Sequence, residues 1–281
     1  MPEKPRTAAG YPPDQVARVK AACLYLATKL GDLMPELVVV GGLVPSLLID
    51  QESLPEHVTA HVGTMDLDLG LAFALVGEHR YQAVAERLRL AEFEMDENDD
   101  GKPTRQRWRI SKPTVTVDFL IEPEKSTEAQ AGRLFDLTRD WAAIIAPGLH
   151  LAFKNNRVVR LSGKTIAGET AQRDICVCGA GAFVVLKALA FHIRGENKDA
   201  YDLFYLLRNY GRGVSDVVAE LRPLLDDASA VKAMEYLRDD FQDSDSTGPR
   251  RAAEFLYGRP DADTQADVVG FVRQLLNECK T

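Results

Sequence analysis

The sequence predicts an α+β protein, with a mixed β-sheet domain flanked by helices and followed by a helical C-terminal region. Three observations predict this. From Leu37 to Ile121 the chain reads in the order β-α-β-α-β-β-β. Met65–Leu71 alternates strictly between apolar residues and Asp or Gly. From Gly179 onward, apolar residues recur at helical spacing almost to the end of the chain. The reading divides the chain into a flexible tail over 1–11, an α+β domain over 12–165 and a helical domain over 166–281.

Each element has a local reason. Pro12-Pro13-Asp14 starts a helix in which Val16, Val19, Cys23, Leu26 and Leu30 share a face, and Gly31-Asp32 ends it. Leu37-Val38-Val39-Val40 is a short apolar run closed by Gly41-Gly42, the pattern of a buried strand. A short helix with Pro45 in its first turn follows, then a polar loop over 50–63. In the strand Met65–Leu71, Met65, Leu67, Leu69 and Leu71 face one way, and Asp66, Asp68 and Gly70 the other. Glu78–Glu92 is an amphipathic helix. Strands are expected over 93–97 and 105–110, joined through Asn98-Asp99-Asp100-Gly101, and over 114–121. Two further strands are expected between 148 and 166, around Asn155-Asn156. Helices are expected near 179–194, 197–210, 214–226, 228–240, 249–257 and 264–278.

Composition excludes several classes. Of the 281 residues, 46% are hydrophobic and 27% charged, the balance of an ordinary globular chain. No apolar run is long enough to span a bilayer, and the N-terminus lacks the apolar stretch of a signal peptide, so the expected setting is the cytoplasm with no membrane partner. Cys23, Cys176, Cys178 and Cys279 are then expected to be reduced; Cys176 and Cys178 read as a buried strand pair, not as zinc ligands. A net charge of −8 argues against general affinity for nucleic acid. The local exception is Arg105-Gln106-Arg107-Trp108-Arg109 with Lys112, either a solvated basic edge strand or a docking surface for a nucleotide or RNA, with Trp108 in the core.

The chemistry rests on carboxylates. Asp66 and Asp68, two apart on a strand, project from one face, and like charges held that close need compensation. A divalent cation supplies it, since Mg²⁺ takes a few carboxylates together with substrate phosphates. The competing reading is a surface strand with solvated acids. Asp118 lies in the apolar strand Val115–Ile121, where a lone carboxylate is costly unless paired or metal-bound. It completes a three-carboxylate metal site if its strand lies beside that of Asp66 and Asp68; the competing reading, which does not exclude the first, pairs it with Arg107 or Arg109 on the adjoining strand. Gly41 and Gly42 end a buried strand before a helix, where free amides attract phosphate. Ser46 is near enough to add a hydroxyl or to cap the turn.

Lys187 and Arg194 are seven apart, two helical turns, and share a face of a mostly apolar helix. Their anionic partners are either a nucleotide triphosphate or Asp199 and Asp202 on the next helix. Lys198 is expected to be solvated. His57 and His61, four apart in a loop with Pro55, lack a third ligand and are not read as a metal site; His192 is read as a satisfied helix histidine.

In this order, Val38-Val39-Val40-Gly41-Gly42, Thr64-Met65-Asp66-Leu67-Asp68-Leu69 and Val117-Asp118-Phe119 resemble the polymerase-β type of nucleotidyltransferase fold. With the later run from Leu186 to Leu203, which carries Lys187, Arg194 and Lys198-Asp199-Ala200-Tyr201-Asp202-Leu203, they resemble the AbiEii/AbiGii-type nucleotidyltransferase toxins of bacterial toxin–antitoxin and phage-defence systems. The resemblance covers about residues 36 to 210. It departs at Leu43, where many relatives carry Ser or Thr, and in a longer loop between Gly42 and Asp66.

The resemblance implies transfer of a nucleoside monophosphate from an NTP to an acceptor such as RNA or a tRNA end, with Mg²⁺ as cofactor and a cognate antitoxin as partner. Asp66, Asp68 and Asp118 would be the metal ligands, and with Lys187 the catalytic set. Gly41, Gly42, Ser46, Lys187 and Arg194 would hold the nucleotide. The alternatives are a catalytically degenerate nucleotide-binding or interaction module, and a nucleotidyltransferase acting on a small molecule such as an antibiotic.

Overall fold

A computed structural model describes residues 5–56, 58–72, 78–98, 100–111, 114–124 and 127–280. The predicted class holds: the chain is mixed α and β, 50% helical and 21% strand, with a mixed sheet and a C-terminal helical region. His57 and Lys112 of the sequence reading lie outside the described residues.

The chain forms two compact units. Residues 14–43 and 64–178 make the first; residues 5–13, 44–63 and 179–280 belong to the second. The passage from one to the other thus falls after Cys178, later than the 165/166 boundary expected, and 44–63 joins the helical unit. Residues 8–10 form a 3-10 turn, and Tyr11 is buried with its ring edge-on to Phe255, an order that the flexible-tail expectation did not contain.

In the first unit, α1 (Gln15–Leu30) carries Val19, Ala22, Cys23, Leu26 and Leu30 into the core. The strands are β1 (Leu37–Val40), β2 (Asp66–Leu71), β3 (Glu94–Glu97), β4 (Pro103–Ser111), β5 (Thr114–Ile121), β6 (Leu134–Asp136), β7 (Ala142–Ile145), β8 (Asn156–Lys164) and β9 (Thr170–Cys178). They form one sheet in the order β3-β4-β5-β2-β1-β9-β8, with β7 paired to β5 and β6 to β7. Pairs β2–β5, β1–β9 and β5–β7 are parallel; the others are antiparallel. Along β2, Leu67 and Leu69 are fully buried, as are Val117 and Phe119 opposite them on β5. That apolar side anchors the sheet, and the alternation of the strands leaves Asp66, Asp68 and Asp118 on the opposite face. Helix α3 (Glu78–Leu90) buries Tyr81, Val84, Ala85 and Leu88.

Two expectations are corrected here. The segment before Asn155 is a short helix, α4 (His150–Lys154), not a strand. Glu122 accepts the amides of Gly148 and His150 and turns the chain into a helix there. Strand β4 is internal to the sheet, between β3 and β5, so its arginines do not form a basic edge. Arg105 pairs with Asp136, Arg107 with Asp118 and Arg109 with Asp96. Trp108 is 1% exposed, in the core as expected.

The second unit holds α2 (Val44–Leu48), α5 (Ala180–Arg194), α6 (Asn197–Asn209), α7 (Val214–Leu221), α8 (Ala228–Asp240), α9 (Thr247–Tyr257) and α10 (Ala262–Glu278). Helix α5 packs on α6, α7 and α8, and α6 packs on α9. At the α5–α7 crossing a Cβ on Gly181 would press into the Glu220 carbonyl, so only glycine lets the two backbones approach this closely. Among the described residues, no helix is long and apolar enough to cross a membrane.

Candidate metal centre and buried polar network

The metal-site expectation depended on β5 lying beside β2, and it does. Asp68 and Asp118 are register partners in the parallel β2–β5 pair, and Asp66 is opposite Thr116. One ligand oxygen from each of Asp66, Asp68 and Asp118 lies within 4.8 Å of the others. Asp66 and Asp118 are 3% and 4% exposed, and Asp68 is half-buried. Thr64, two residues before Asp66, donates its hydroxyl to Asp66 Oδ1 at 2.8 Å.

Three carboxylates this close and this buried need positive charge. Arg107 supplies part of it. It is the antiparallel register partner of Asp118, so both side chains leave the sheet on the same face. Its Nε lies 2.6 Å from Asp118 Oδ1, a second guanidinium nitrogen bonds Asp118 Oδ2, and that nitrogen is 3.7 Å from Asp66 Oδ2. The hydrogen bond to Asp118 holds the guanidinium even further above its ordinary range, against the opposing effect of burial, and the charges of Asp118, Asp66 and Asp68 add to it. Arg107 is one of the two partners that the sequence offers Asp118; Arg109 turns instead to Asp96 and Glu97.

Gly41 belongs to this cluster for a steric reason. It opens the 3-10 turn Gly41–Leu43 with φ +71°, and a Cβ built on it would overlap the Asp68 carboxylate. The glycine therefore makes room for a carboxylate. Gly42 and Leu43 follow in the same turn, both buried.

Ser46, Lys187 and Arg194 come together in the second unit, in one network. Lys187 Nζ lies 2.8 Å from Asp199 Oδ1 and 2.7 Å from Asp202 Oδ2. Arg194 grips Asp199 through Nε at 2.6 Å and a terminal nitrogen at 2.8 Å. These are the helix-borne acids that the sequence offered as alternatives to a triphosphate. Lys198 is not solvated as expected: it is 15% exposed and 2.6 Å from Asp202 Oδ1, because Asp202 lies one turn along the same helix face.

Burial pushes the Lys187 ammonium toward neutrality, but Asp199 and Asp202 outweigh it and hold the group well above the usual lysine range. Burial lowers Lys198, helped by the charge of Lys187 and opposed by Asp202. Asp199 and Asp202 would rise through burial, yet their cationic neighbours hold both far below the usual carboxylate range.

The residue that sequence reasoning missed is His61. Its Nδ1 is 3.0 Å from Ser46 Oγ and accepts the Gly63 amide at 3.1 Å, while its Nε2 is 2.9 Å from Asp202 Oδ1. Nothing local marks it: in the sequence His61 offers only the spacing of a possible metal ligand with His57, and its partner is 141 residues away in the chain. Ser46, His61 and Asp202 have the order of a hydrolytic relay, but all three are at most 4% exposed, so the serine meets no substrate. His192 is satisfied by Asp240 at 2.9 Å, as expected.

No family model matches this chain, and no curated protein matches it; the three carboxylates on adjacent strands are therefore the feature on which a functional reading rests.

Proposed function

We propose that this chain is a metal-dependent nucleotidyltransferase, moving a nucleoside monophosphate from an NTP to an acceptor. The observation that carries the reading is the convergence of Asp66, Asp68 and Asp118 within 4.8 Å on neighbouring strands. The donor set fits Mg²⁺: three hard carboxylate oxygens, no sulfur and no imidazole in the cluster. Asp66, Asp68 and Asp118 would hold the cation, which when bound offsets phosphate charge and brings NTP and acceptor oxygens together.

The chain's own residues supply the rest. Asp118 is the candidate to orient the acceptor hydroxyl. Arg107, within reach of Asp118 and Asp66, offsets the carboxylate charge before any ligand arrives. Gly41 and Gly42 would bring backbone amides to the phosphates; the resemblance also assigns Lys187 and Arg194 to the nucleotide, whereas Ser46 is buried against His61 and is not among the contacts. By resemblance to the AbiEii/AbiGii-type toxins, the acceptor would be RNA such as a tRNA end, the setting the cytoplasm, and an antitoxin the restraining partner.

The test is incubation with labelled NTPs, Mg²⁺ and a total RNA pool, comparing wild type with Asp66→Ala. Label on RNA from wild type alone supports the reading. Label on an added aminoglycoside and none on RNA would move it to small-molecule modification. No label and no NTP binding in Mg²⁺ would overturn it. One observation favours a second reading, a binding module that has lost transfer: Arg107 already takes both oxygens of Asp118. Metal-dependent NTP binding without transfer to any acceptor is its outcome.

A further inference from the structure

The tautomer of His61 is set by its neighbours. The Gly63 amide can only donate, so Nδ1 must accept and carries no proton. The single ring proton is then on Nε2, facing Asp202 Oδ1. A second proton, on Nδ1, would set two donors against each other at 3.1 Å. The Ser46 hydroxyl, 3.0 Å from the same nitrogen, completes the acceptor's environment.

Asp202 has two oxygens with separate duties. Oδ1 takes His61 Nε2 and Lys198 Nζ; Oδ2 takes Lys187 Nζ. The ring, together with Lys198, thus bears on which way the carboxylate faces, and the carboxylate is one of the two anchors of Lys187. The ring is itself held: it stacks on Tyr201 with centroids 5.4 Å apart and packs at 4.8 Å against Tyr205. The backbone about it is tied to the same helix. His61 N donates to Gln51 Oε1, which also accepts the Tyr205 hydroxyl, and Val62 N donates to the Tyr201 hydroxyl. Among the described residues, Lys187 from α5 and Lys198 and Asp202 from α6 are charged groups that act on the ring, and Asp199 and Arg194 extend the network beyond it.

We infer that His61 is a positioning residue: its Nε2–H orients Asp202, which in turn holds Lys187 Nζ in place to serve an anionic phosphate. The last step rests on the nucleotidyltransferase reading; the orientation of Lys187 through His61 does not.

The experiment compares wild type, His61→Gln and His61→Leu, each checked for folding by circular dichroism, in calorimetric titrations with Mg·ATP and the other Mg·NTPs. Glutamine keeps a donor for Asp202; leucine removes it and leaves a buried acceptor short of a partner. The expected result is binding weakened about tenfold in His61→Leu and largely rescued in His61→Gln. A folded His61→Leu that binds as wild type does, or a His61→Gln that loses as much, overturns the inference.

If wild type binds no Mg·NTP, the nucleotidyltransferase reading fails on its own. The ¹⁵N-lysine ammonium signal of Lys187 then decides: retained in His61→Gln and displaced in His61→Leu supports the inference, and unchanged in both overturns it. Should the leucine variant not fold, ¹⁵N spectra of the wild-type imidazole at pH 6 decide. The Nε2–H neutral form is expected; an Nδ1–H or doubly protonated ring overturns it.

Discussion

Arg107 and Asp118 face each other in register on adjacent antiparallel strands, and the guanidinium bonds both carboxylate oxygens. The same guanidinium reaches toward Asp66, so this cation serves two acids of the cluster. Removing it takes a cationic partner from buried acids. Arg107→Met, of similar length and apolar, should lose about 3 kcal/mol of stability in divalent-free buffer, the scale for breaking a buried ion pair. Mg²⁺ should then restore more of that loss in the variant than it adds to wild type. Urea denaturation with and without MgCl₂ measures both; an equal, negligible Mg²⁺ effect on the two proteins would mean that the cluster takes no cation.

Gly41 tests the same cluster sterically. Alanine there suffers twice, from a backbone at φ +71° and from overlap with the Asp68 carboxylate. Gly41→Ala should cost about 1–3 kcal/mol and displace Asp68. Weaker Mn²⁺ binding, read by paramagnetic broadening or calorimetry, should accompany it. A variant as stable as wild type with unchanged cation affinity would show that the carboxylate moves aside freely.

Acid should destabilise the protein through His61. Burial lowers its pKa from 6.5 to about 4, although Asp202 pulls upward. Between those values the unfolded chain binds a proton that the folded ring refuses. The stability present above pH 6.5 is therefore lost progressively as pH falls toward 4, by about 3 kcal/mol over the window. His61→Gln should flatten this part of the profile. Denaturation midpoints between pH 4 and 7 test it, and parallel curves for the two proteins would contradict it.

Lys187 is the cation on which two buried acids converge. Lys187→Met should destabilise by about 3–5 kcal/mol, because Asp199 and Asp202 lose a shared partner. Adding Asp199→Asn should recover part of the loss. If the double variant is worse by the sum of two independent effects, measured in a thermodynamic cycle, the groups are not coupled as their geometry implies.

Much of the fold was legible because it follows from local periodicity. The alternation of Met65–Leu71 placed Asp66 and Asp68 on one face, and the apolar strand around Asp118 marked that carboxylate as needing a partner. The helices from Ala180 onward were visible in their spacing. The helix at His150–Lys154 was not, because a distant carboxylate, Glu122, starts it. The short strands β6 and β7 carried no pattern of their own and exist through pairing with each other and with β5.

The sequence by itself determined the class of the fold, the faces of its strands and which carboxylates need compensating positive charge. Only the tertiary structure decided that β5 lies beside β2, that Arg107 and not Arg109 meets Asp118, that Gly41 gives way to Asp68, and that His61 closes on Asp202. The physical reason is range. Periodicity records how a residue relates to its own helix or strand, whereas charge compensation and steric fit depend on which segments the chain brings together in space.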